Sequence, residues 1–386
     1  MQCLISSSRL GKTKSEESIV HYFCTYFDIN YLPRGLALYE SLKKHCTEFC
    51  LWVLCMDKKS YDILSVLDLD ALKLISLQAF EEGDEELLKA KQNRSRIEYY
   101  FTCTPSLQLF ILNNFSEVDA VIYLDADLCF FADPSPIFEE IGNSSVAIIE
   151  HRFPPQLKDR ALYGIYNVGW LYFKRDENGI SCLKWWRTQC NKWCYDWIED
   201  GKFADQKYLD NWPNLFNNVM VVQHKGANLA PWNIENYNID SRNGNIEVDD
   251  QPLIFYHFHG IKHILGKLYD SGLSDYRVRL SRMLLNNIYL PYLYDILAFE
   301  KGIRKVQSPQ SAGYLPRGSE LNNISEFNSK WFNNLRRMSP HLFAVLNKLS
   351  YLIKILFSGT YIVLHNSPVK SLKKKCGNNF TEIRKY

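Results

Sequence analysis

Short apolar runs alternate along this chain with segments whose apolar residues recur every three or four positions. Ile19 to Phe27, Phe49 to Met56, Leu72 to Leu77, Val146 to Glu150, Tyr166 to Phe173, Val219 to His224 and Leu253 to His259 read as strands. Gly35 to Leu42, Tyr61 to Leu67, Glu81 to Lys89, Ser106 to Asn114, Cys182 to Trp197 and the segment opened by Ala204 to Leu209 read as helices. Strand, helix and strand in turn imply an α/β fold with a mostly parallel central sheet and right-handed crossovers. The apolar run Ala120 to Phe131, closed by an Asp133-Pro134 turn, reads as one buried parallel strand of that sheet. Phe153 to Arg160 reads as an irregular loop that could border a site, and Asn228 to Asn233 as a turn.

Composition adds little to the fold and more to the ends of the chain. With 386 residues, 46% hydrophobic and 23% charged, the chain is long enough for a sizeable core and ordinary for a globular protein. The net charge of +2 hides an asymmetry: from Lys301 to Tyr386 there are 15 Lys and Arg against three Glu, a net +12, which leaves −10 on residues 1 to 300. The expected division is a folded body at 17–300 and a basic, partly amphipathic extension at 301–386. Phe343 to Leu364 mixes apolar runs with Asn347, Lys348 and Lys354, too polar for a span but suited to an interfacial helix, and Lys373 to Lys375 follow. Such a tail could favour an anionic membrane surface or nucleic acid, or be no more than a solvated, disordered end; peripheral membrane contact, and no nucleic-acid partner, is the expectation adopted. Eleven Cys residues show no regular framework and no Cys-x-x-Cys, and Met1 to Glu16 has no apolar core. A cytoplasmic location, thiols mostly buried and free, and no zinc site are the expectation.

The candidate chemistry sits at the end of the central strand. Asp125 and Asp127 are two apart, so alternation along a strand puts them on one face, where they repel unless something positive lies between them. A Mg²⁺ or Mn²⁺ ion is the simplest partner, and the C-terminal end of a strand is where open α/β sheets bind ligands. The plain alternative is a solvated rim of the strand. His257 and His259 also share one face, and a neutral imidazole could be a third ligand, or either could be a structural strand-end His. Arg94 and Arg96 are exposed charges or, for at least one of them, a bidentate phosphate partner. Gly169 could let a ligand approach the backbone, and Asp205 near a helix start has an ordinary capping explanation. The Trp-rich segment Cys182 to Trp197 reads as core rather than sugar platform. The first strand is followed by neither a Gly-x-Gly-x-x-Gly nor a P-loop, so phosphates must be neutralised another way.

The ordered set Asp125-Ala-Asp127, Asn167-Val-Gly169, Asp205-Gln206, Pro231-Trp-Asn233 and His257-Phe-His-Gly260 resembles the glycosyltransferase family of glycogenin and the bacterial lipopolysaccharide galactosyltransferases, over about residues 19 to 265. The resemblance implies the GT-A nucleotide-diphospho-sugar transferase fold and a retaining hexosyl transfer from a nucleotide-sugar, UDP-linked by the family's habit, to a glycan or lipid-linked acceptor in polysaccharide or lipopolysaccharide synthesis. By position it implies Asp125, Asp127 and His257 as ligands of Mn²⁺ or Mg²⁺, Asn167 and Gly169 in the sugar and acceptor pocket, and Asp205 and Gln206 beside the reacting carbon. The family pattern has a Lys six residues after the His and then Pro-Trp. Here His263 holds that position, Lys262 comes one residue early as the phosphate candidate, and Pro-Trp is absent. Should the enzyme invert, Asp205 is the base. Two other readings use the same sheet: a non-catalytic carbohydrate-binding or scaffold protein, and a sugar nucleotidyltransferase, which the lack of a Gly-rich basic first loop disfavours.

Overall fold

The computed structural model describes residues 20–242, 244–306 and 340–364. Strands β1 (His21–Phe27), β2 (Phe49–Cys55) and β3 (Leu72–Ser76) are joined by helices α1 (Leu32–His45) and α2 (Lys58–Leu67) and run parallel. After α3 (Leu77–Glu81), α4 (Glu85–Gln92) and α5 (Arg96–Asn114) the chain returns to the other side of β1 as β4 (Ala120–Leu124). The short β5 (Leu128–Phe130), α6 (Ser135–Ile141), β6 (Val146–Glu150), β7 (Tyr166–Lys174), α7 (Glu177–Lys192), α8 (Trp212–Leu215) and β8 (Val219–Val221) follow. The seven-stranded sheet has the order β3-β2-β1-β4-β7-β6-β8, and only β7 runs against its neighbours. This is the α/β fold with a mostly parallel sheet flanked by helices that the hydrophobic pattern predicts. Its topological switch point lies between β1 and β4, the place where such sheets bind ligands.

Successive residues of the strands feed different cores, as a pleated strand buried on both faces must. Phe23, Val53 and Leu124 pack on one side with Leu36, Leu38, Tyr289 and Ile296, while Cys24, Leu54 and Tyr123 pack on the other with Leu107, Trp186 and Trp212. Helix α1 lies unusually close to the sheet: a Cβ on Gly35 would come within 2.2 Å of the Phe27 ring. Trp186 is fully buried and stands edge-on to Trp212 at 5.2 Å, so the Trp-rich helix does serve the core.

Several predicted boundaries move. The run Ala120 to Phe131 is not one strand, because β4 stops at Leu124 and Asp125 to Leu128 form a turn closed by the Leu128 amide on the Asp125 carbonyl at 3.1 Å. Asp favours the first position of such turns. Helix α5 runs straight through Pro105, which the sequence reading used as its start. The Ser95/Glu98 capping box sets the true N-terminus, and buried contacts with α7 outweigh the one lost hydrogen bond. The acidic helix expected at Glu81 to Lys89 is two, divided at Gly83 with φ 76° and restarted by Asp84, whose carboxylate accepts from the Leu87 amide. Helix α7 begins at Glu177, capped by Asp176, and ends before Trp193.

Strands β9 (Ile239–Arg242), β10 (Asn245–Val248) and β11 (Gln251–Pro252) form a small separate sheet. The next strand, β12 (Phe255–His257), leaves the central sheet and pairs antiparallel with β5. Strands β13 (Lys262–Leu265) and β14 (Leu268–Asp270) make a hairpin. Helix α9 (Arg282–Leu284) passes through a π-helical turn into α10 (Leu290–Val306), so the division expected at residue 300 falls inside a helix. Helix α11 (Pro340–Ser358) and β15 (Tyr361–Val363) then rejoin the body, β15 pairing with β14. Met1 to Glu16 and Lys373 to Lys375 lie outside the described residues. Among those described, no helix is long and apolar enough to cross a membrane, and all nine Cys are free thiols.

Candidate functional site

The turn after β4 brings the two carboxylates together where strand alternation was expected to do so. Its far side is held by β12: Leu128 pairs with His257 in register, and the Phe258 amide donates to the Asp127 carbonyl at 3.0 Å. The near side is held by β7, whose Gly169 carbonyl accepts from the Asp125 amide at 2.9 Å. Three elements distant in sequence thus converge on one point at the carboxyl edge of the sheet. His257 Nε2 lies 3.1 Å from Asp127 Oδ1 and 3.6 Å from Asp125 Oδ2, and one ligand atom from each of the three residues lies within 4.8 Å of the others.

Gly169 makes this convergence possible. A Cβ there would sit 2.7 Å from His257 Cε1 and 2.6 Å from Asn167 Oδ1, closer than packed atoms allow. The group against this glycine is not the expected ligand but the imidazole of His257, whose Nδ1 is buried without a hydrogen-bond partner among the described residues. Asn167 is buried and spends its amide inside the protein: Oδ1 accepts from the Gly169 amide at 3.1 Å and Nδ2 faces His151 Nε2 at 3.3 Å. Trp232, from the turn at Asn228 to Asn233, stands edge-on to His257 at 5.0 Å and to His151 at 5.1 Å, closing the back of the site. His259 is exposed and its ring centre is 5.9 Å from that of His257, outside the three-residue cluster.

The charges in the cluster are interlocked. Burial disfavours ionisation of Asp127, but His257 beside it prevails and holds the carboxyl well below the usual range. Burial likewise works against an imidazolium at His257, and the two Asp carboxylates more than offset it, so its pKa rises. Asp125 moves up through burial and the charge of Asp127. Each carboxylate thus favours a positive charge at the His257 position, and the imidazole in turn favours ionised carboxylates. A divalent cation would supply positive charge there, since two hard carboxylate oxygens and an imidazole nitrogen are a donor set suited to Mn²⁺ or Mg²⁺.

Sequence reasoning missed the floor beneath Asp125. The Tyr123 hydroxyl donates to Asp125 Oδ1 at 2.9 Å, which leaves Oδ2 as the oxygen facing His257. The ring of Tyr26 lies 5.7 Å from that of Tyr123, and its hydroxyl meets Thr104 Oγ1 at 3.2 Å. No motif marks it: the parallel pairing of β1 with β4 sets Tyr123 opposite Cys24, which brings its ring against Tyr26 two residues on. Asp205 lies beyond this floor, 4% exposed, with its pKa pushed up to about 7 by burial, against the Thr104 hydroxyl and with the Asp125 charge adding to the rise. It is not a helix cap: Gln206 precedes the short 3-10 helix Lys207–Asn211, while the Asp205 carbonyl accepts from Trp186 Nε1 at 2.8 Å. Gln206 donates from Nε2 to the Tyr163 carbonyl at 3.1 Å.

The basic candidates lie farther out. Arg96 is exposed at the N-terminus of α5, 3.8 Å from Asp28, which follows β1 at the same edge of the sheet as Asp125. Arg94 stacks on the Tyr195 ring at 3.9 Å and donates to the Asn191 carbonyl, in the seam between α5 and α7. Lys262 is on the β13–β14 hairpin, its ammonium 5.9 Å from the Tyr351 ring.

Among solved structures the chain is similar to the galactosyltransferase LgtC in complex with donor and acceptor sugar analogs, with a TM-score of 0.42, 16% identity and coverage of 62% of this chain and 87% of that one. It is similar to the same degree to mouse xyloside xylosyltransferase 1, at TM-score 0.42 and 12% identity over 63% of this chain and 98% of that one. The glycosyltransferase GlyE of Streptococcus pneumoniae TIGR4 gives 0.42 and 15% over 74% and 64%. No protein-family model matches the chain. Two Bacillus subtilis (strain 168) proteins, both described as uncharacterized, are nearer in sequence. YfnD is 32% identical over 301 residues, 77% of this chain and 95% of YfnD, and YfnF is 37% identical over 248 residues, 62% and 81%. The chain belongs to the family of YfnD and YfnF.

Proposed function

We propose that this protein is a metal-dependent glycosyltransferase of the GT-A type, moving a hexose from a nucleotide-diphosphate donor, UDP-linked, to a glycan or lipid-linked acceptor with retention of configuration. The observation that carries this reading is the Asp125–Asp127–His257 cluster at the switch point, with the buried carboxyl of Asp205 close enough to feel Asp125. Asp125, Asp127 and His257 would hold Mn²⁺ or Mg²⁺, which when bound supplies positive charge for the departing diphosphate. Around them Tyr123 fixes the rotamer of Asp125, Gly169 gives His257 room, and Asn167 keeps β7 and His151 in register. Asp205 and Gln206 would face the donor sugar, and Arg96, at the rim beside Asp28, is better placed than Arg94 to meet a phosphate. Lys262 would close over the donor from the β13–β14 hairpin. The basic C-terminal segment would keep the enzyme in the cytoplasm at the inner face of a membrane, in reach of a lipid-linked acceptor of polysaccharide synthesis.

A thermal-shift series of nucleotide-sugars with and without Mn²⁺ tests this. The expected outcome is a shift for one UDP-sugar only when Mn²⁺ is present, worth about 2.7 kcal/mol at a hundredfold excess over Kd. No shift with any nucleotide-sugar in the presence of Mn²⁺ would refute the donor site.

A further inference from the structure

Helix α11 has two unlike faces, and only one of them is used by the body. On the inner face Ile355 is fully buried, the Tyr351 hydroxyl donates to Asp270 Oδ2 at 2.6 Å, and the Ser271 hydroxyl donates to the Thr360 carbonyl at 2.7 Å where the chain turns into β15. These contacts lay the helix along the surface. On the outer face Leu349, Ile353, Leu356 and Phe357 follow the i, i+4, i+7, i+8 spacing of one stripe, all exposed, Phe357 at 88%. The β13–β14–β15 sheet into which α11 leads adds exposed apolar side chains of its own: Leu265, 73% exposed, pairs with Leu268, and Leu268 pairs with the exposed Val363. Large apolar side chains gathered in this way on a surface mark a contact with something apolar.

Charge selects the occupant. From Phe327 to Thr381 the sequence has nine Lys and Arg and not one Asp or Glu. Two copies of the chain, each carrying so basic a stretch of sequence, repel one another, whereas an anionic lipid surface attracts that stretch and offers apolar depth to the stripe. We infer that α11, with the β13–β14–β15 sheet edge, is an in-plane membrane-docking surface that lodges Leu349, Ile353, Leu356, Phe357, Leu265 and Val363 in the headgroup and acyl boundary of an anionic bilayer. The helix lies on the membrane and does not cross it, because its inner face is committed to the body. The inference deepens the membrane contact named above and does not depend on the sugar-transfer chemistry.

Flotation of the full chain with phosphatidylglycerol–phosphatidylcholine vesicles, run without metal or nucleotide-sugar, provides the test. Wild type is expected to float with the anionic vesicles and at least about tenfold less with phosphatidylcholine alone or in high salt. Ile353→Asp with Phe357→Asp should lower binding by roughly tenfold or more while the melting curve and its response to Mn²⁺ stay as in wild type. Phe357→Trp should show a blue-shifted emission on adding anionic vesicles. The inference is overturned if wild type does not float, if the double variant floats as wild type does, or if the stripe instead drives a dimer that the double variant dissolves. Each of those results leaves the glycosyltransferase reading standing, since that reading is decided by donor binding.

Discussion

Asp127 and Asp205 are both carboxylates withdrawn from water, both interacting electrostatically with Asp125, and their pKa values move in opposite directions. Asp127 has His257 at 3.1 Å and stays ionised well below the usual carboxyl range, while Asp205 has a hydroxyl and no cation and rises to about 7. Burial is the largest influence on each. What separates them is the basic groups around Asp127, His257 first and then Arg34 and His259, so depth alone says little about charge at this edge of the sheet. The first position keeps a negative charge, as a cation ligand would need, and the second is poised to hold or release a proton near neutral pH.

That contrast can be broken in four places. Asp127→Ala should have the largest effect, removing the Mn²⁺-dependent thermal shift and lowering metal-dependent transfer by roughly a thousandfold, whereas Asp205→Asn should keep the Mn²⁺ shift. Retention of both the shift and the activity in Asp127→Ala would show that the cation is held elsewhere. Asp205→Asn acts instead on the pH dependence of stability. The folded pKa of Asp205, about 7, lies above the unfolded value near 4, so its favourable contribution is complete below about pH 4 and is lost as pH rises through 7. The variant should therefore match wild type in acid and gain on it above neutrality, by up to roughly 4 kcal/mol if nothing relaxes. Equal melting temperatures at pH 8 would mean that Asp205 is solvated.

Gly169→Ala should drive a methyl group into His257 and Asn167, costing about 1–3 kcal/mol of stability and weakening Mn²⁺ binding in the same variant. Metal affinity unchanged in a folded Gly169→Ala protein would argue that the His257 ring has another place to go. Tyr123→Phe is the mildest, because it frees Asp125 Oδ1 without removing a ligand. A loss of about tenfold in Mn²⁺ affinity is expected by titration, with the fold intact.

Much of this site was legible because it is carried by short-range chemistry. Asp125-Ala-Asp127 stands at the end of an apolar run and His257 near the end of another, and the carboxyl ends of parallel strands gather where an α/β sheet binds ligands. The geometry that joins them was not legible, for two physical reasons. A turn and a strand end differ by one backbone rotation that apolar patterning does not record, so the aspartates were assigned to the wrong local conformation. The antiparallel partner of β5 lies more than a hundred residues away, and local sequence carries no information about such pairing. Gly169 was recognised as a close approach, but the group that approaches it could not be named until His257 was placed. Helix α5 was cut short at Pro105 because intrinsic propensity is a weak term beside the burial of Thr102, Cys103 and Leu107.

The pairing of β15 with β14 has a consequence for the order in which the molecule assembles. Ser271 and Thr360 are 89 residues apart, yet their contact fastens the last strand of the described chain. The parallel strands β1, β2 and β3 meet partners nearby in sequence, while the β13–β14 hairpin must wait, one edge open, for a strand that leaves the ribosome much later. During synthesis that edge is a nascent adhesive strip, and the arrival of Tyr361–Val363 is what retires it.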